Sequence, residues 1–243
     1  MLSLLFVCAI FFVAGAVKGV VGLGLPTVAV GLLALIMTPA QAAALVIIPS
    51  LVTNLWQLFG PGFATQMRRL ATLLVGIGVG TWAGAGSLAA DHSGRAPAAL
   101  GIMLIAFALL NLSPLRLSVP TRAEPWLSPL MGIATGFISA ATGIYAIPFV
   151  PYMHALGLDR DALVQALGIG FTGATLALGA DLVRVGALEG SLAMMSIVAL
   201  VPALIGMGLG QWLRGRIRED AFRVCFLLAL LALGAHLALR PVL

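Results

Sequence analysis

The residue with the most pointed chemistry in this chain is its only lysine, Lys18. It lies in the stretch GAVKGVVGLGLPTVAVG, Gly15 to Gly31, inside an apolar run that extends from about residue 2 to 36. In hydrocarbon a central lysine costs about 2.5–3.5 kcal/mol, and such residues face a bundle interior or a water-filled cavity. At a helix end the same side chain would instead snorkel to the interface, and the sequence fits both readings. All eight acids, Asp91, Glu124, Asp159, Asp161, Asp181, Glu189, Glu219 and Asp220, fall in loops or at the ends of apolar runs. A lysine buried away from them suits a site completed by an anionic ligand.

The glycines beside Lys18 point the same way. Gly22 and Gly24 can unwind a helix, and Pro26 at the start of the next helix loses no hydrogen bond. A helix N-terminus aimed into the membrane offers free N–H groups and about half a positive charge to an anion. The segment SAATGIYAIP offers Ser139, Thr142 and Gly143 for the same purpose. Small residues also let helices pack closely, and that explanation serves any single glycine here. Further along, IIPSLVTNLWQ sets Ser50, Thr53, Asn54 and Gln57 three and four residues apart, on one face of a helix kinked by Pro49. Gln165 and Thr172, seven apart, share another face. Such hydroxyls and amides can hold an oxyanion or tie helices together. The predicted substrate-binding set is Lys18, Gly22, Gly24, Pro26, Ser50, Asn54, Gln57, Ser139, Thr142, Gly143, Gln165 and Thr172. Trp56, Trp82 and Trp126 read as packing or interface residues. His154 ends its apolar run and is a further candidate, whereas His92 lies in a loop and His236 near the end of the last run. No cofactor, metal site or catalytic set is expected.

Composition says what kind of element must hold these residues. Hydrophobic residues make up 61% of the chain and charged residues 9%, against roughly 25% charged in soluble domains. Mean hydropathy is +1.14, and the apolar runs reach the ~20 residues that cross a bilayer. The expected fold is an all-α polytopic membrane protein, multi-pass in the bacterial inner (plasma) membrane. The net charge of +5 comes mostly from arginines in short loops, where cytoplasmic positive charge sets topology. No folded domain is left to carry a nucleic-acid surface. Cys8 and Cys225 sit in apolar runs as packing residues. The N-terminus lacks the basic region of a signal peptide and is expected to remain as membrane helix.

Charge and turn residues divide the chain into eight apolar blocks, about 2–36, 40–60, 70–90, 97–114, 126–157, 162–180, 188–213 and 221–239. The first and fifth are too long for one ordinary crossing, and both are broken by glycine and proline. They open two expected repeats, residues 1–117 and 118–243. Gly15-Ala-Val-Lys-Gly19 aligns with Gly132-Ile-Ala-Thr-Gly136, and Pro39 with Asp159. The repeats close by placing Gly80 on Gly206 and Gly84 on Gly210. Interrupted segments at matching places in two halves point to a secondary transporter's binding site. If every block crosses once, the twelve arginines split six and six between the two sides. If blocks one and five each cross twice, the split is nine to three. The richer side then holds Arg68, Arg69, Arg116, Arg122, Arg160 and the Arg214–Arg223 cluster. That topology makes the richer side cytoplasmic, the repeats inverted and both termini external. Each sub-helix would have about 16 residues, about 24 Å at 1.5 Å per residue, and re-entrant half-helices fit the same sequence.

The segments KGVVGLGLPTVAVGLL, TPAQAAALVIIPSLVTNLWQ and GFISAATGIYAIPFVPYMHALGL together resemble the sulfite exporter TauE/SafE family of transporters. The family's glycine-rich stretch is thinned here to Gly22-Leu23-Gly24 in the first half and to Thr142-Gly143-Ile144-Tyr145 in the second. The resemblance implies transport of a small anion, such as sulfite, an organosulfonate or a similar sulfur-containing or carboxylated anion. Export is the expected direction, with the anion and the bilayer as partners. Two alternatives fit less of the sequence. An intramembrane enzyme would need a Ser–His pair, paired aspartates or several acids for a metal inside the blocks. A permease subunit would need a long cytoplasmic coupling loop, and its ATPase a P-loop.

Overall fold

A computed structural model of the chain describes residues 2–60, 62–89, 95–113 and 118–239; Asp91, His92 and Arg116 lie outside them. Every regular element among the described residues is an α-helix. In order they are α1 (Leu2–Val21), α2 (Leu25–Leu33), α3 (Pro39–Leu58), α4 (Phe63–Ala83), α5 (Ala96–Leu112), α6 (Glu124–Thr142), α7 (Phe149–Ala155), α8 (Arg160–Arg184), α9 (Gly190–Arg214) and α10 (Glu219–Leu239). Five of these, α1, α3, α8, α9 and α10, are long and apolar enough to cross a membrane. α5 is apolar but shorter, at 17 residues. α4 and α6 have the length, 21 and 19 residues, with more polar residues along them.

The eight expected blocks do not map one to one onto helices, because blocks one and five each fold as two. Block one breaks where Gly22 and Gly24 take φ of 83° and 106°, left-handed values that cost a side chain and favour glycine. Pro26 follows as the second residue of α2. Block five breaks at Gly143, φ 76°, and resumes at Phe149. The halves are not the equal ~16-residue pieces expected at 1.5 Å rise. They are 20 and 9 residues in block one, and 19 and 7 in block five. A helix of about five turns precedes each glycine break, and only a short helix follows it. α2 stops before Thr38, whose side chain and that of Gln41 form a reciprocal capping box that starts α3.

Glycine seams set how the long helices meet. α1 lies along α9 so closely that a Cβ on Gly15 would strike the carbonyl of Ala203, and one on Gly210 that of Ala16. α4 lies along α6 in the same manner, Gly132 against the carbonyl of Leu73 and Gly80 against that of Ile133. These are small-xxx-small contacts, with van der Waals packing of backbones as their driving force. Comparing the two seams, Gly76 meets Pro129 as Gly206 meets Phe12, and Gly80 meets Ile133 as Gly210 meets Ala16. By these contacts VGIGVGTW, 75–82, and IGMGLGQW, 205–212, occupy corresponding places in the two seams. That register is one helical turn away from the expected match of Gly80 with Gly206 and Gly84 with Gly210. Glycines repeating every four residues allow both registers by pattern, and backbone contact selects between them.

α3 packs antiparallel to α8, and α5 to α10, where Gly101 and Gly234 touch. Within α3, Pro49 has no N–H for the carbonyl of Leu45, and the Ser196 hydroxyl of α9 donates to that carbonyl at 2.7 Å. Charge is polarised along the bundle. One end gathers Arg68, Arg69, Arg122, Arg160, Arg214, Arg216, Arg218 and Arg223, with Arg69 bidentate to Glu124 at 2.5 and 2.7 Å. At the other end lie Arg95, Arg184, the start of α1 and the end of α10.

Candidate polar vestibule

The break after Val21 leaves Lys18 in the last turn of α1, facing α3. Lys18 is 2% exposed, so it does not reach an outer interface, and the snorkelling reading falls. Its Nζ donates to Thr53 Oγ1 at 3.1 Å and to Asn54 Oδ1. Thr53 is free to accept because its own hydrogen goes back to the Pro49 carbonyl at 2.7 Å. Asn54 passes the contact on, its Nδ2 donating to Thr175 Oγ1 of α8 at 3.5 Å. Thr175 Oγ1 lies 2.8 Å from the Tyr145 hydroxyl and 2.6 Å from the Phe171 carbonyl. Tyr145 is braced by Phe171, which Phe149 meets edge-on. A polar line thus runs from Lys18 across the bundle centre to the second broken segment. Arg69 pairs with Glu124 and Arg184 with Asp181, and neither pair involves Lys18.

Lys18 lines the inner part of a cavity of roughly 720 Å³ whose mouth is at the arginine-rich end. Gly19, Gly22, Gln57, Gln66, Gln165 and Gln211 line its walls, and Trp56, Asp159, Arg160, Asp161 and Arg214 stand toward the mouth. Gln57 Nε2 donates to the carbonyl of Gly22 at 2.8 Å, tying α3 to the break in block one. Gln165 Nε2 donates to the carbonyl of Leu58 at 3.2 Å, tying α8 to the end of α3. Asp159 caps α8 through the N–H of Ala162 at 2.9 Å.

The predicted set divides in two. Lys18, Gly22, Asn54, Gln57 and Gln165 come together around this vestibule. Ser50 lies one turn deeper on α3, fully buried, on the side of the Tyr145 hydroxyl. The others are held elsewhere. Gly24 backs onto Phe226 and Val17, Pro26 is buried within α2, and Gly143 packs against Ala43 and Val30. Ser139 is buried along α6, and Thr142 bonds the Ile138 carbonyl. Thr172 bonds the Gly168 carbonyl. The free N–H groups expected of a helix start at Pro26 therefore do not face the cavity. His154 is not among the cavity residues either. Sequence reasoning missed Thr175, Tyr145, Gln66 and Gln211 as site residues, and gave Thr53 no separate role. A glutamine inside an apolar run, as Gln211 is in block seven, is the signal that could have found one of them.

Two broken segments and a cavity with a buried lysine at its inner end belong to a polytopic helical membrane protein. Residues 7–237 match the sulfite exporter TauE/SafE family, and the chain belongs to that family of membrane transporters. No curated protein and no solved structure matches it.

Proposed function

We propose that the chain is a secondary transporter or facilitator that exports a small anion across the bacterial inner membrane. Sulfite, organosulfonates and similar sulfur-containing or carboxylated anions form the substrate class. The observation that carries this reading is Lys18, buried at the inner part of the vestibule with only the neutral acceptors Thr53 and Asn54. A buried charge is stable when paired, and an ammonium has three donors, so two are committed and one remains for a ligand. Gln57 and Gln165 stand beside it. The arginine-rich end is cytoplasmic by the positive-inside rule, which sets the vestibule mouth toward the cell interior. An inside-negative potential drives an anion outward from there by about 2.3 kcal/mol per charge per 100 mV.

The same reading takes residues 1–117 and 118–243 as inverted repeats. α1 with α9 and α4 with α6 would be their exchanged seams. Asn54 and Thr175, each sixteen residues beyond the N-caps Thr38 and Asp159, would meet near the pseudo-twofold axis. Rocking of one half against the other would carry the anion from the open end to the closed one. In proteoliposomes, Lys18→Ala should remove most of the flux of sulfite and organosulfonates while the protein stays folded in detergent. Flux unchanged for all of them rejects this role for Lys18.

A further inference from the structure

The vestibule is lined by amides as well as by charge, and two of these amides are incomplete. Gln57 Oε1 and Gln66 Oε1 are buried without a hydrogen-bond partner, and both residues line the cavity that holds Lys18. The orientation of Gln57 is fixed by its neighbour. Its Nε2 donates to the Gly22 carbonyl at 2.8 Å, and turning the amide over would set two carbonyl oxygens against each other. Gln57 stands one turn beyond Thr53 and Asn54, the residues that hold the lysine. Lys18 and an amide oxygen that the protein leaves unsatisfied thus line one cavity, and buried acceptors of this kind demand an explanation.

A ligand made only of acceptor oxygens, such as sulfate or the sulfite dianion, satisfies Lys18 and turns lone pairs toward Gln57 Oε1. An anion that also carries an O–H or N–H satisfies both groups. Resting on the anion-transport reading above, we propose that the vestibule selects anions bearing a hydrogen-bond donor over anions that only accept. Gln57 is the specificity-determining residue and Gln66 supports it. The donor has two sources, the acid proton of an inorganic oxyanion such as hydrogensulfite, or a hydroxyl on an organic sulfonate.

Titration calorimetry on the full-length purified protein tests this with a matched pair, ethanesulfonate and 2-hydroxyethanesulfonate, and with sulfite below and above its second ionisation. The hydroxylated sulfonate should bind about tenfold more tightly than ethanesulfonate, the worth of one hydrogen bond to a buried group. Gln57→Met should bring that ratio close to one. Because Gln57 also holds Gly22, Gln66→Leu serves as a second variant and should narrow the ratio several-fold with the Gly22 contact intact. The charged or titratable groups Lys18, Asp159, Arg160, Asp161 and Arg214 all face the cavity and act on any anion in it, so ethanesulfonate measured across the same pH range is the reference for sulfite. Sulfite affinity that falls relative to this reference as its proton is lost assigns the donor to the inorganic acid. A ratio confined to the organic pair assigns it to the hydroxyl. Equal binding within the organic pair and across sulfite's ionisation overturns the proposal, as does a full ratio in both variants. Failure of every anion to bind overturns the anion-transport reading itself.

Discussion

Lys18 is held by Thr53 and Asn54, and both of these are already engaged. The Thr53 hydrogen is used on the Pro49 carbonyl, the Asn54 carbonyl faces the lysine, and the Asn54 amide faces Thr175. Removing one side of a buried pair costs the full desolvation of the other, whereas replacing both with apolar groups is nearly neutral. Asn54→Leu should therefore lower stability by about 1–3 kcal/mol, read from thermal unfolding in detergent. The double variant Lys18→Met/Asn54→Leu should be more stable than Asn54→Leu alone. Additive losses would mean that the two side chains are not coupled. Lys18, Asn54 and Gln57 were legible in the sequence because a lysine and amides in apolar runs have few ordinary explanations. Thr175 and Tyr145 were not. Thr53, Thr135, Thr142, Thr172 and Thr175 all return their hydroxyl hydrogen to the carbonyl four residues back, as threonines in helices commonly do. Which of them also keeps a lone pair for a distant partner depends on tertiary neighbours 30 to 121 residues away.

At the scale of elements, the seams between α1 and α9 and between α4 and α6 are held by glycines on one face only. Gly210 meets the Ala16 carbonyl, while Gly208, two residues earlier, has open space around it. Gly210→Leu should destabilise the protein by about 3 kcal/mol, at the upper end for overpacking. Gly208→Leu should be neutral or slightly stabilising, because it removes a helix-interior glycine. Comparable losses at both positions would contradict the seam. The glycines themselves were plain in the sequence, and so were the two breaks. The register between α4 and α9 was not, since a four-residue glycine repeat matches itself one turn along. The unequal lengths of the broken halves were also hidden. They depend on where the next helix begins, which the Thr38 cap determines.

For the molecule as a whole, the asymmetry of charge and the asymmetry of the cavity coincide. The mouth opens among the ends of α3 and α9 and the starts of α4 and α8, where most of the described arginines gather. On the proposed reading, an anion would be drawn to that end by the arginine field and held farther in by Lys18. The membrane class was readable from composition, and the family resemblance from the broken, glycine- and proline-rich segments. The one-ended vestibule was not, because it is assembled from five helices distant in sequence. The measurement that bears most directly on Lys18 as the anion's partner is the Kd of an organosulfonate for the wild-type and Lys18→Met proteins, both verified as folded. Loss of a charge-assisted hydrogen bond predicts a Kd raised by at least about tenfold in Lys18→Met. An unchanged Kd would place the anion elsewhere and contradict the proposed site.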